Sequence, residues 1–247
     1  MSVTRLLESI RTVGRDPNSG GYYRPVLSTP ELDLRSWFVG EAQQRGLDVE
    51  TDRNGILWAW WGTPAAGSVV TGSHLDSVPG GGAFDGPLGI AAALEAVDAL
   101  RARGTNPQRS LAIAVFPEEE GSRFGLACLG SRLLTGKLPA DRARTLTDAD
   151  GNTLADVFAR GGIDPTHLGR DDEALARIGC FVELHIEQGR GLIDLDRPIG
   201  VGSSILGHGR WRVRVRGQGN HAGTTAMADR ADPVVAAAAM VGAVATT

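Results

Sequence analysis

The sequence has few cysteines, no long hydrophobic run and no excess of positive charge. Cys128 and Cys180 are the two cysteines among 247 residues, and they neither build a disulfide framework nor form a metal-binding pair. We therefore expect a reducing, cytoplasmic location. No apolar run approaches the ~20 residues that span a bilayer, and the first residues do not lead into the hydrophobic part of a signal peptide. The net charge of -4 argues against a nucleic acid or an anionic membrane as partner.

Several common catalytic motifs are also missing. The sequence has no Walker-type lysine loop and no Gly-x-Ser-x-Gly nucleophile elbow. The glycines near residue 200 lack the spacing and the following helix of a dinucleotide-binding loop. None of these motifs therefore accounts for the chemistry of the chain.

The hydrophobic pattern predicts an α/β fold. Apolar residues make up 42% of the chain and charged residues 22%, as in an ordinary globular protein. Predicted strands at 55–61, 69–72, 111–116 and 180–186 alternate with predicted helices at 88–103, 152–160 and 171–178. This alternation favours a three-layer domain with a mostly parallel central sheet.

The pattern changes from residue 209. Trp211, Val213 and Val215 alternate with arginines, which predicts a strand with one buried face, and an alanine-rich helix is predicted at 234–245. We therefore predict a domain at 1–208 and the beginning of a smaller, incomplete α+β domain at 209–247. A single strand and a helix bury too little apolar surface to fold alone.

Histidine and acidic side chains that could bind a metal follow several of the predicted strands. His74 and Asp76 follow the predicted strand at 69–72. On an extended strand both side chains point the same way, so the Asp76 carboxylate can accept a hydrogen bond from the second N–H of a metal-bound imidazole. Asp85 follows a triple-glycine turn at the start of a predicted helix. Taken alone, these residues are equally well explained as a hydrogen-bonded pair and a helix N-cap.

An acidic triplet and a further histidine follow two other strands. Glu118, Glu119 and Glu120 repel one another unless cations or solvent relieve them, and a solvated acidic loop is the simpler alternative. His185 lies in an apolar run, where a histidine is more often a core residue than a ligand. The combination favours a metal centre, because carboxyl ends of parallel strands meet at one edge of a sheet.

These segments together resemble the hydantoinase/carbamoylase branch of the M20 metallopeptidase-like amidohydrolases, which includes N-carbamoyl-L-amino-acid hydrolases, β-ureidopropionases and allantoate amidohydrolases. The resemblance covers nearly the whole chain. It is most specific at residues 72–76, 82–89, 119–124, 183–189 and 220–227. It implies hydrolysis of a linear amide or ureido C–N bond in a small acid such as allantoate or an N-carbamoyl-L-amino acid, with release of ammonia and carbon dioxide.

The resemblance also implies roles for individual residues. His74 and His185 would each hold one metal, Asp85 would bridge and Glu120 would hold the second metal. The metals would be two divalent ions, zinc or manganese, with nickel or cobalt also compatible. Glu119 would be the catalytic base, assisted by Asp76 beside the metal. Gln188 and His221 would contact substrate, and His221 would also stabilise the oxyanion.

The chain departs from the family in length. Family chains are considerably longer, and their later part supplies a last histidine ligand, substrate-binding residues and the rest of a lid and dimerisation domain. We expect a C-terminally truncated chain that binds metal poorly and turns over slowly or not at all, and a homodimer at full length. The alternatives are an aminoacylase or peptidase on the same fold, and an inactive fragment or assembly partner of a split enzyme.

Overall fold

The computed structural model describes residues 2–205, 207 and 211–245. The chain forms two compact units, residues 1–191 and 192–247. None of the helices in the described ranges is long and apolar enough to cross a membrane.

The first unit contains seven strands and most of the helices. The strands are β1 (Tyr22–Arg24), β2 (Asp48–Thr51), β3 (Leu57–Trp61), β4 (Ser68–His74), β5 (Ser77–Gly81), β6 (Leu111–Phe116) and β7 (Ile178–Val182). The helices are α1 (Val3–Ser9), α2 (Thr29–Gln44), α3 (Pro87–Ala102), α4 (Leu129–Leu134), α5 (Ala140–Arg144), α6 (Leu154–Arg160) and α7 (Asp172–Arg177). The short α8 (Gly191–Asp194) lies at the boundary between the units.

The main sheet has the strand order β2-β3-β6-β4-β7. β4 pairs in parallel with both β6 and β7, whereas β2 with β3 and β3 with β6 are antiparallel. The predicted α/β class is therefore confirmed, and the sheet is mixed, with its parallel part around β4. β1 and β5 form a separate antiparallel pair.

Helices cover both faces of this sheet, because its strands alternate between two cores. On β3, Leu57 and Ala59 pack into a core with residues of α1, α2 and α3, while Trp58 and Trp60 pack into a core with residues of α4 and α7. Burial on both faces explains why β3 and β6 read as continuous apolar runs. The layered arrangement leaves the carboxyl ends of β4, β6 and β7 at one edge of the sheet.

The edge strand β7 differs from the prediction. It ends at Val182, although the apolar pattern predicted a strand to residue 186. Phe181 and Val182 are 43% and 60% exposed. Within the described residues β7 pairs only with β4, so the apolar side chains of β7 lie at an exposed edge of the sheet. The segment after Val182 is no longer part of the sheet.

The second unit contains a 3-10 turn (Met227–Asp229) and the predicted C-terminal helix, α9 (Pro233–Ala245). The strand predicted at 211–216 was wrong: these residues have no regular structure, and Trp211 is 84% exposed. A strand needs a hydrogen-bonded neighbour, and no strand occurs among the described residues of this unit. The predicted boundary at 208/209 falls on residues outside the described ranges, so that division remains a prediction.

Candidate metal centre

His74 lies at the carboxyl end of β4 and is 1% exposed. Its Nδ1 is 3.0 Å from the carbonyl oxygen of Asp76 and 3.6 Å from that residue's carboxylate. Nε2 lies within 4 Å of the carboxylates of Asp85 and Glu119. Burial alone would lower the pKa of His74, but the hydrogen bond and charge of Asp76, with Glu119, raise it to about 9. The surroundings of this imidazole therefore favour a positive charge.

The Asp76 carboxylate contacts the acidic loop as well as the imidazole of His74. It accepts hydrogen bonds from the backbone N–H of Glu119 at 3.1 Å and of Glu120 at 3.0 Å. The same carboxylate lies 3.6 Å from His74 Nδ1, and its predicted role as the partner of a metal-bound imidazole stays a prediction.

The three consecutive glutamates have different surroundings. Glu118 is fully buried and accepts hydrogen bonds from the backbone N–H of Arg123 and Phe124. Burial raises its pKa to about 7. Glu119 and Glu120 instead place carboxylate oxygens close to His74. Glu118 thus anchors the loop, while its two neighbours face the cluster.

Asp85 reaches His74 because the next residue is a glycine. Gly86 has φ +86°, and a Cβ there would lie 2.5 Å from the His74 carbonyl oxygen and 2.7 Å from its ring. Asp85 Oδ1 lies 3.2 Å from His185 Nε2, and Asp85 Oδ2 accepts a hydrogen bond from Gln188 Nε2 at 2.7 Å. Asp85 is therefore the residue that both histidines approach.

The segment after β7 carries His185 and is tied back to β4. Ser73 Oγ donates a hydrogen bond of 2.6 Å to Glu183 Oε1. Gly89 allows the close approach, because a Cβ there would lie 2.6 Å from the carbonyl oxygen of Leu184. The imidazole rings of His74 and His185 are 6.1 Å apart between centroids.

Two overlapping groups of side chains can hold a cation. In His74, Asp85 and His185, and again in His74, Glu119 and Glu120, one ligand atom from each residue lies within 4.8 Å of the others. Nitrogen and oxygen donors of these types suit zinc and manganese. Burial and the negative charge of Asp85 raise the pKa of Glu120 to about 7, and a divalent cation would relieve this repulsion. The residues present therefore fit a metal ion.

The first group contains both imidazoles, and the assignment of one imidazole to each ion stays a prediction. Asp85 and Glu120 lie close enough for their charges to interact. His221 belongs to the second unit, where its Nδ1 accepts hydrogen bonds from the backbone N–H of Gly223 and Thr224. Its role in oxyanion stabilisation remains a prediction.

Sequence reasoning missed three side chains around this cluster. Ser73 and Glu183 form the link just described, and the Cys128 thiol lies 3.3 Å from Glu119 Oε1 as a hydrogen-bond donor. Cys128 has φ +57°, a left-handed conformation that is uncommon for a residue other than glycine. No pattern in the sequence indicates these contacts, since the partners are far apart along the chain or joined by a local turn.

Known proteins are similar to this chain in sequence and in fold. Residues 57–170 match peptidase family M28. The N-carbamoyl-L-amino acid amidohydrolase of Geobacillus stearothermophilus is 37% identical over 239 residues, which cover 96% of this chain and 58% of that protein. The allantoate amidohydrolase of Escherichia coli (strain K12) is 36% identical over 240 residues, covering 95% and 57% of the two chains.

A solved structure gives the same result. The hydantoinase/carbamoylase family amidase from Burkholderia ambifaria matches with a TM-score of 0.74 and 32% identity, covering 97% of this chain and 57% of that one. The chain thus spans somewhat more than half the length of these relatives.

Proposed function

Because the chain belongs to the hydantoinase/carbamoylase family of amidohydrolases, we propose that it supplies the metal-binding part of an enzyme that hydrolyses a linear C–N bond in a small carbamoyl or ureido acid. Allantoate and N-carbamoyl-L-amino acids are the first substrates to test, since relatives that match over 95% and 96% of the chain carry those names. Ammonia and carbon dioxide would leave, together with the freed amine.

The single observation that supports this proposal best is the meeting of His74, Asp85, His185 and Glu120 at the end of the parallel strands. These four side chains would hold two divalent ions, zinc or manganese, with nickel or cobalt also compatible. Such ions acidify water and polarise a carbonyl oxygen. A ureido carbonyl needs this help because two nitrogen atoms donate electrons to it.

Glu119 is the residue we propose as general base. One of its carboxylate oxygens lies 3.7 Å from His74 Nε2, and its side chain is 39% exposed, so it reaches both the cluster and solvent. Glu119 would take a proton from water and deliver it to the leaving nitrogen. Asp76 would hold Glu119 and Glu120 in place through their backbone N–H groups.

Substrate contacts are proposed for two residues. The Gln188 amide lies against Asp85, where it can contact a molecule bound beside the cluster. His221 would donate a hydrogen bond to the developing oxyanion, a contact that is worth about 3 kcal/mol in comparable sites. The proposal also includes a catalytic domain at 1–208 and a lid and dimerisation domain from residue 209. It further includes a homodimer at full length and a cytoplasmic location.

The proposal is tested with the chain itself and with a chimera in which it replaces the aligned part of the Geobacillus stearothermophilus relative. Ammonia release would be measured after loading with zinc or manganese, on allantoate, N-carbamoyl amino acids and N-acetyl amino acids. We expect the chimera to hydrolyse a carbamoyl or ureido acid and to lose that activity with chelator.

Glu119→Gln should abolish turnover, whereas Glu118→Gln, the matched change in the adjacent residue, should retain it because Glu118 is occupied by backbone N–H groups. Hydrolysis that survives chelator or Glu119→Gln would contradict the proposed chemistry. A preference for N-acetyl substrates would point to an aminoacylase. Absence of turnover in the folded, metal-loaded chimera would favour a non-catalytic assembly partner.

A further inference from the structure

Arg24 is a buried arginine without an acidic partner. It lies on β1, is 1% exposed, and precedes the residues of the metal cluster in the sequence. Its Nε donates a hydrogen bond to the Val13 carbonyl oxygen at 2.9 Å, and its guanidinium lies 4.2 Å from the centre of the Tyr22 ring. No carboxylate among the described residues forms an ion pair with it. A buried charge is costly unless a counter-charge compensates it.

The guanidinium also has unused donors. Nε is the side-chain nitrogen of Arg24 that donates to the protein, so in the described part of the chain the two terminal nitrogens have no protein acceptor. Burial lowers the pKa of Arg24 to about 10, which still leaves the side chain charged at neutral pH. A positive charge with two parallel N–H groups is the arrangement that binds a carboxylate through both oxygens.

Arg24 lines a cavity of about 320 Å³. Much of the remaining lining is apolar. It includes Leu7 of α1 and Ile10 just after that helix, and Ala83 and Phe84 just before Asp85. This volume is at the lower end of the range of about 300–1,000 Å³ that is common for small-molecule sites. The cavity therefore combines one cationic group with apolar surface.

The charges at the rim restrict the ligand further. Glu8 and Arg11 also line the cavity, and they pair with each other at 2.6 Å. Their charges cancel, so Arg24 contributes the one uncompensated charge among the described lining residues. A single positive charge suits a monoanion better than a dianion such as phosphate.

We propose that this cavity binds a small aliphatic monocarboxylate, with the carboxylate on Arg24 and a short alkyl group against Leu7, Ile10 and Phe84. The site is additional to the proposed amidohydrolase centre. It does not depend on the identity of the substrate there, and it stands or falls by its own test.

Propionate is the probe, and Arg24→Met is the first variant. Methionine replaces an unpaired buried charge with an apolar side chain, a change that folded proteins often tolerate. At equal ionic strength, propionate at about ten times its Kd should raise the Tm of the wild-type chain by about 3–5 °C relative to chloride. Arg24→Met should lose this increase, whereas the double variant Glu8→Gln with Arg11→Met, which removes both members of the compensated pair, should retain it.

A second measurement uses the wild-type chain and does not require the variant to fold. In ¹⁵N NMR, the Arg24 Nε–H signal should shift on propionate titration and reach saturation. Chelator, or His74→Ala, should leave the titration unchanged, which separates this cavity from the metal centre. An equal Tm increase in wild type and Arg24→Met would overturn the proposal. So would an Arg24 signal that does not saturate or does not shift.

Discussion

Asp76→Asn tests how the acidic loop is held beside the metal cluster. The Asp76 carboxylate is fully buried and accepts one backbone N–H on each oxygen, from Glu119 and from Glu120. An asparagine keeps one acceptor oxygen, but its NH₂ group then faces the second N–H. One hydrogen bond is lost and the remaining one no longer has a charged acceptor.

The magnitude follows from those two contacts. A hydrogen bond to a charged group contributes about 1.5–3 kcal/mol, so we expect the free energy of unfolding to fall by about 2–4 kcal/mol. Loss of a partner that supports metal ligands typically costs about 10–100-fold in metal affinity. We expect a loss of this size, because releasing the backbone at Glu120 moves a ligand.

Glu118→Gln is the matched control. Glu118 is likewise buried and accepts two backbone N–H groups, from Arg123 and Phe124, but it does not belong to either cation-binding group. Both N–H groups donate to Oε1, and glutamine retains that acceptor oxygen, so this variant should leave metal affinity unchanged. Denaturant unfolding and calorimetric titration with Zn²⁺ measure the two quantities. If Asp76→Asn kept wild-type affinity while losing stability, the carboxylate would not organise the metal ligands.

Two further contacts give predictions of their own. Ser73→Ala removes the hydrogen bond to Glu183 and loosens the segment that carries His185. We expect the free energy of unfolding to fall by about 1 kcal/mol and the affinity for Zn²⁺ to fall by about 3–10-fold. Unchanged affinity in calorimetry would show that the link is dispensable. Burial and the Glu119 charge raise the pKa of Cys128 to about 11. At pH 8 only about 0.1% of this thiol is therefore ionised. Iodoacetamide should modify the exposed Cys180 first. Peptide mass spectrometry follows both thiols in the metal-free chain, and comparable rates of alkylation would contradict the raised pKa of the partly buried Cys128.

The main elements could be predicted from sequence because the sheet is buried on both faces. β6 is a continuous apolar run, and α3 begins within one residue of the prediction. The metal-type residues at the ends of β4, β6 and β7 could be predicted for the same reason, since parallel neighbours leave their carboxyl ends at one edge.

Features that depend on tertiary neighbours could not be predicted. An alternating pattern around Trp211 predicted a strand, but pairing is decided by a partner strand and not by the pattern. Spacing placed Asp76 beside His74, but it did not show that the Asp76 carboxylate also accepts the backbone N–H groups of Glu119 and Glu120, which lie 43 and 44 residues further along the chain. The cavity at Arg24 joins three separate segments, and a lone arginine in a sequence does not show that it lacks an acidic partner.

Anomalous diffraction from crystals soaked in Zn²⁺ or Mn²⁺ is the most direct test of the cluster. We predict two anomalous peaks, with ligand atoms of His74, Asp85, Glu120 and His185 each at about 2.0–2.2 Å from one or both of them. Peaks confined to other parts of the chain, with these side chains unmoved at saturating metal, would contradict the assignment of this sheet edge as a metal centre.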